Sequence, residues 1–151
     1  MRHPPAAATP PIADVPPGFS PVDTLSGFLT AMGPIYEKVD AGRRTYGLRV
    51  EERHCNTFDK AHGGTLAGLA DVTLARSLAH MRTPFFAPVT LSLNVEFVAA
   101  APRGGWLEGY ARIRKADGSI AFAEAEFHCD GKLVAIASGV FKYPRHKATV
   151  A

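Results

Sequence analysis

Residues 64–80 read GTLAGLADVTLARSLAH, and no other stretch limits the fold as strongly. Alanine and leucine dominate it, which favours helix. Leu66, Ala70, Leu74 and Leu78 form one row at i, i+4 spacing. Ala67, Leu69 and Ala75 make nearly all of the remaining circumference apolar. A helix that is apolar all round is buried, not laid on a surface. Its only charged residues, histidine aside, are Asp71 and Arg76, and Pro84 stops it.

Most of the remaining chain reads as strand. Ile35–Val39 and Arg44–Glu51 flank Asp40-Ala41-Gly42, and in the second of them Tyr46, Leu48 and Val50 alternate with Gly47, Arg49 and Glu51. A loop runs from His54 to His62. After the helix, Val89, Leu91, Leu93, Val95 and Phe97 alternate with Thr90, Ser92, Asn94 and Glu96, which places Thr90 on the polar side. Trp106–Lys115, Ile120–Cys129 and Leu133–Tyr143 follow, separated by Asp117-Gly118 and Asp130-Gly131. Asp-Gly between strands is a strong hairpin signal, because both turn residues take positive φ. The last three strands therefore read as an antiparallel meander.

Six prolines among the first 17 residues oppose regular structure there, so residues 1–20 are expected to be a disordered arm and 21–146 one domain. A short helix is expected over Val22–Met32, with Leu25, Phe28 and Leu29 on one face, and the ordered strands begin near Ile35. The class is α+β. One long apolar helix and one antiparallel sheet pack only if the sheet curls around the helix. A single helix covers one face of a sheet, so further apolar surface must find another subunit.

A chain of 151 residues can bury a core without disulfide staples. The 17 Lys+Arg against 14 Asp+Glu are dispersed, and a net charge of +3 is too small to argue for nucleic acid. It suits an anionic small molecule such as a nucleotide. Cys55 and Cys129 have no metal-finger spacing and read as reduced thiols of a cytoplasmic protein. No apolar run reaches the roughly 18 residues of a membrane span, and no continuous apolar segment marks a secretory signal. His54, His80 and His128 share no metal-ligand spacing and read as surface or satisfied histidines.

Four features could carry chemistry. His62-Gly63-Gly64 sits where loop becomes helix. The first helical N–H groups lack intrahelical acceptors, the macrodipole puts positive charge there, and glycine lets a ligand oxygen approach. That suits an oxyanion site, although a plain turn would read the same way. Asp71 is the second feature. Its neighbours at three and four positions are Ala67, Gly68, Leu74 and Ala75, none of which can neutralise it. A carboxylate in a buried apolar helix is costly unless it is paired or opens to a cavity, and such exceptions cluster at functional sites. A bond to a backbone group or to a distant arginine is the other explanation.

Asp71 lies about 12 Å along the helix from the helix-start amides, at 1.5 Å per residue. A base and an oxyanion hole must both lie within about 3 Å of the reacting group. One chain cannot do this with its own pair, but two chains with antiparallel helices can. Asn56 and Thr90 are weaker signals, since Asn56 also suits an Asx-turn and threonine is common in strands. There is no G-x-S-x-G elbow and no H-E-x-x-H. Nothing in the sequence activates Cys55 as a nucleophile.

Asn56, then His62-Gly63-Gly64, then Asp71 resembles the motif of hotdog-fold acyl-CoA thioesterases of the phenylacetic-acid-degradation type. Val89-Thr90 and the closing Asp130-Gly131-Lys132-Leu133-Val134-Ala135 resemble the same family, over roughly Met32 to Tyr143. The resemblance implies an antiparallel sheet wrapped around one central helix, a homodimer or homotetramer, and no cofactor. It implies that Asp71 is the catalytic carboxylate, as general base on water or as nucleophile. It implies that the Gly63 N–H polarises the thioester carbonyl, that Asn56 and His62 orient substrate or water and support the loop, and that Thr90 holds the water. The CoA nucleotide would lie near the hairpin after the Trp106 strand, at Lys115, Gly118 and Ser119, with Gly64 also touching substrate. Many relatives carry lysine or arginine where this chain has Ser119, so Arg103 or Arg114 would supply the charge instead.

Two other readings stand beside hydrolysis. A hydratase or dehydratase of acyl thioesters would use a histidine and a carboxylate at carbon. A non-catalytic acyl-CoA sensor would bind without turnover. Phe58, Phe85, Phe86 and Phe97 either line an acyl pocket or pack a core.

Overall fold

One seven-stranded antiparallel sheet wraps the 17-residue helix α2 (Gly63–Ala79) in the computed structural model, which describes residues 15–23 and 26–144. In chain order the strands are β1 (Ser20–Pro21), β2 (Tyr36–Asp40), β3 (Arg43–Arg49), β4 (Val89–Phe97), β5 (Trp106–Lys115), β6 (Ile120–Cys129) and β7 (Lys132–Lys142). Their order across the sheet is β1-β2-β3-β5-β6-β7-β4. No residue of α2 from Thr65 to Ala79 is exposed, as the all-round apolar pattern requires. Leu69, Leu74 and Leu78 meet Tyr46, Leu48, Phe127 and Phe141 from the concave face of the sheet in one core. Each of these leucines and phenylalanines contributes about 1.5–3 kcal/mol on burial.

Two hairpins follow from their turn residues. Ala41-Gly42 joins β2 to β3 with φ of 46° and 79°, and Asp130-Gly131 joins β6 to β7 with φ of 48° and 83°. Asp117-Gly118 does not form the expected tight turn, and neither residue has a positive φ. The connection from β5 to β6 is the longer stretch Ala116–Ser119, preceded by a register shift between Ile113 and Lys115. Its carbonyls at Ala116 and Gly118 are held by Arg82. A tertiary contact therefore overrides the local turn preference.

The ordered chain starts earlier than Ile35. Ser20-Pro21 pairs with β2, and the Phe19 ring packs edge-on against Trp106 at 4.9 Å. Proline is tolerated because β1 is an edge strand. The short helix α1 (Gly27–Met32) is briefer than expected, because Ser26 caps it by accepting from the Leu29 N–H at 3.1 Å. Leu25 lies outside the described residues.

The strand β4 is the far edge of the sheet, and its register corrects the position of Thr90. Thr90 pairs with Phe141 and Ser92 with Val140, so Leu91 is an extra residue, a β-bulge. Unbroken pairing would have put Thr90 opposite Lys142, on the outer face. The bulge turns it to the face of Phe141, which is the face of the helix. Among the described residues this edge has no partner other than β7, and Val89, Leu91, Phe97 and Val98 are each more than half exposed. Among the described residues no helix is long and apolar enough to cross a membrane.

Candidate active site

The side chain of Asp71 meets that of Thr90. The Thr90 hydroxyl donates to Asp71 Oδ1 at 2.6 Å. Asp71 is only half-buried and Thr90 is exposed, so the carboxylate is not sealed in the core as the helix pattern suggested. It opens beside the unpaired edge of β4.

Three features shape the helix start. His62 is the N-cap of α2, and its Nδ1 accepts from the Gly64 N–H at 2.9 Å. The Gly63 N–H has no acceptor among the described residues. It borders a cleft of about 390 Å³ lined by Asn56, Phe58, Leu66 and Phe97. A Cβ at position 63 would lie 3.2 Å from the Phe97 ring, so glycine is what keeps this amide approachable. Asn56 Oδ1 accepts from the N–H groups of Phe58 at 2.9 Å and Lys60 at 3.3 Å, an Asx-type turn. Asn56 Nδ2 has no acceptor among the described residues. Asn56 therefore serves the loop and lines the cleft together.

The candidate residues fall into separate places. Asn56 and Gly63 share one cleft. His62 and Gly64 border another, of about 340 Å³, with Phe28, His54 and Cys55. Asp71 lies eight residues beyond Gly63 on α2, about 12 Å away by helix rise, and Thr90 meets it there from β4. Gly118 and Ser119 line a fourth region, a cleft of about 490 Å³ shared with Arg82, Phe86 and Tyr143. Lys115 stands at the edge of that connection, its Nζ 3.9 Å from Asp117.

Arg103 is elsewhere. It pairs with Asp59 at 3.4 Å and Glu52 at 3.6 Å, beside the Asn56 loop. Arg114 is paired with Glu124 across β5 and β6. The cation that lines the Gly118–Ser119 cleft is Arg82, which the sequence reading missed. Its only local signal is a basic residue just past a helix end, which by itself suits the helix dipole. Of the four phenylalanines, Phe58 and Phe97 share the Gly63 cleft, Phe86 lines the Ser119 cleft, and Phe85 packs edge-on against His80 at 4.9 Å.

The two thiols are held protonated. Burial, then the Asp59 carboxylate, raises Cys55 above the usual thiol range, and Cys55 Sγ donates to the Glu51 carbonyl at 3.3 Å. Burial, then Asp130, pushes Cys129 up to about 11. Neither has the lowered pKa of a nucleophilic cysteine. His54 is a satisfied core histidine, with Nε2 2.6 Å from the Met32 carbonyl and Nδ1 accepting from the Glu51 N–H.

A family model described as "Thioesterase superfamily" matches residues 58–136, just over half of the chain. "Putative esterase PA0474" of Pseudomonas aeruginosa is 42% identical over 132 residues, which cover 87% of this chain and 98% of that one. Among solved structures, the TT0310 protein from Thermus thermophilus is 28% identical with a TM-score of 0.66, over 79% of this chain and 99% of its own. The PaaI protein from the phenylacetic acid degradation operon of E. coli has a TM-score of 0.70 at 22% identity, over 80% and 86% of the two chains. At that identity the second likeness shows the fold alone.

Proposed function

The chain belongs to the thioesterase superfamily and has the hotdog fold, and from that premise we propose that it hydrolyses acyl-CoA thioesters at a site completed across a homodimer. The observation that carries the reading is the Asp71–Thr90 pair, set beside an unpaired apolar edge strand.

In this reading Asp71 is the general base. Thr90 donates its proton to Oδ1, so the threonine oxygen keeps lone pairs to hold a water. The second carboxylate oxygen takes that water's proton as the water oxygen bonds to the thioester carbon. Negative charge then grows on the carbonyl oxygen. An unpaired helix-start N–H, that of Gly63, is the donor suited to it. When the tetrahedral centre collapses, the C–S bond breaks and the thiolate takes the proton, giving a free acid and CoA. A thiolate leaves readily, so no strong acid is required.

Asp71 and Gly63 of one chain are too far apart to serve one carbonyl. An unpaired strand with exposed Val89, Leu91, Phe97 and Val98 calls for a cover, and a second copy on a two-fold axis supplies one. With α2 helices antiparallel across that axis, Gly63 of the partner subunit faces Asp71. His62 spends its Nδ1 on the Gly64 amide and borders a different cleft, which disfavours a hydratase role at the acyl carbons.

The test is release of free thiol from a panel of aryl, short-chain and medium-chain acyl-CoAs by wild type and Asp71→Ala. Turnover by wild type, with a loss of about 100-fold or more in the variant, is expected. Binding of acyl-CoA by both proteins with turnover by neither replaces the hydrolase reading with that of a sensor.

A further inference from the structure

Arg82 ties together three parts of the fold. It follows the end of α2. Its Nη2 donates to the carbonyls of Ala116 at 2.9 Å and Gly118 at 2.8 Å. Its guanidinium carbon lies 4.3 Å from the centre of the Tyr143 ring. Tyr143 in turn donates its hydroxyl proton to the Leu78 carbonyl at 2.7 Å and its N–H to the Ser119 carbonyl at 2.9 Å. The end of α2, the chain after β7 and the β5–β6 connection thus meet on one guanidinium. Arg82 Nη1 has no acceptor among the described residues.

The cleft beside it, about 490 Å³, falls in the size range of small-molecule sites. It offers a ring at Phe86 and hydroxyls at Thr83 and Ser119. Asp117 also lines it, with its carboxylate exposed to solvent and 3.9 Å from Lys115 Nζ. Arg82 is the positive charge of the cleft. The position relative to the proposed chemistry is also suitable. Thr90 pairs with Phe141, and Tyr143 is two residues further on, about 7 Å along the strand. Phe141 and Tyr143 are both packed into the core around α2. The cleft and the Asp71 carboxylate therefore lie on the same face of the sheet.

We propose that Arg82 is the residue that recognises the phosphate-bearing nucleotide end of the substrate, with Nη1 on a phosphate oxygen and Nη2 fixing the shape of the 116–119 connection. This rests on the acyl-CoA reading above. It assigns to Arg82 the role that the sequence left to Arg103 or Arg114.

The experiment compares one acyl group carried on CoA and on pantetheine, which lacks the nucleotide, with wild type, Arg82→Gln and Ser119→Asp. The loss of a charge-assisted contact corresponds to about tenfold or more in KM for the CoA thioester. The expected result is that rise in Arg82→Gln, with kcat little changed and the pantetheine thioester unaffected. Ser119→Asp, which leaves the carbonyl contacts of Arg82 in place, should raise KM for the CoA thioester alone. An equal rise for both thioesters, or no rise for either, overturns the proposal. If wild type turns over no thioester, the hydrolase reading fails, and calorimetry with free CoA still decides the cleft. Weaker binding in Arg82→Gln upholds it, and equal binding, or none by wild type, overturns it.

Discussion

Thr90 Oγ1 reaches Asp71 Oδ1 across 2.6 Å because a single extra residue, Leu91, shifts the phase of β4. The bulge re-aims one side chain at the helix and leaves the rest of the strand in register. If that hydroxyl holds the attacking water, Thr90→Val removes it with little change of shape. A loss of roughly tenfold or more in kcat is expected, and Thr90→Ser should keep most of the activity. Steady-state rates of thiol release check this. Equal rates in Thr90→Val and wild type would leave the threonine a structural partner of Asp71 only.

The Gly63 N–H can be deleted without deleting the helix. Position 63 is the first residue of α2, where proline is well tolerated and the lost N–H bonds nothing in the helix. His62 has φ −65° and ψ 145°, the extended region that a following proline requires. Gly63→Pro should therefore keep its thermal midpoint near that of wild type. Its kcat should fall by about 100-fold or more, the scale of a lost oxyanion donor. Gly63→Ala is the control, since it adds the Cβ that crowds Phe97 but keeps the N–H. A variant pair equally impaired would assign the effect to crowding.

The buried frame of this fold was legible because its signals are local and redundant. Apolar residues on every side of 64–80 leave α2 no place but the core, and Ala41-Gly42 and Asp130-Gly131 carry the backbone that tight hairpins need. The catalytic candidates were legible as residues but less so as an arrangement. The alternation from Val89 to Phe97 runs unbroken in sequence, so nothing in it reveals the bulge that brings Thr90 inward. Asp117-Gly118 has the same letters as Asp130-Gly131, but Arg82 from a distant segment sets its conformation. Phe19 was assigned to the arm because prolines surround it, whereas its packing on Trp106 is a long-range contact. In each case the deciding partner lies far along the chain.

A cluster away from the site predicts the acid limb of stability. Burial alone would raise the pKa of Glu37, but the Tyr46 hydroxyl, Arg44 at 3.0 Å and His80 outweigh it, and the carboxyl is held below its ordinary 4.5. The unfolded chain then takes up the proton before the native one does. The stabilisation is fully present above about pH 4.5 and is lost as pH falls through the lowered native value. Glu37→Gln should melt below wild type near about pH 6, and the gap should close as the pH drops below about 4. Melting curves across that range check it. A gap that stays constant would mean that the ionised carboxylate of Glu37 contributes nothing.

Subunit mixing separates a shared site from two independent ones. Suppose Asp71→Asn and Gly63→Pro chains carry different tags and the mixed dimer is purified. In a site shared across the two-fold axis, one of the two sites holds both lesions. The other combines Asp71 of the Gly63→Pro chain with Gly63 of the Asp71→Asn chain and is intact. Two inactive parents then give a mixed dimer with about half of the wild-type kcat per dimer. If each chain used its own Asp71 and Gly63, both sites would carry one lesion and the mixed dimer would be as inactive as its parents. A separate variant reports on the edge strand. Leu91→Lys places a charge on the unpaired edge without touching Asp71 or Thr90, and by sedimentation it should shift the protein toward monomer. If the site is shared, activity should fall with the dimer fraction, because the Gly63 amide proposed to serve each Asp71 leaves with the partner.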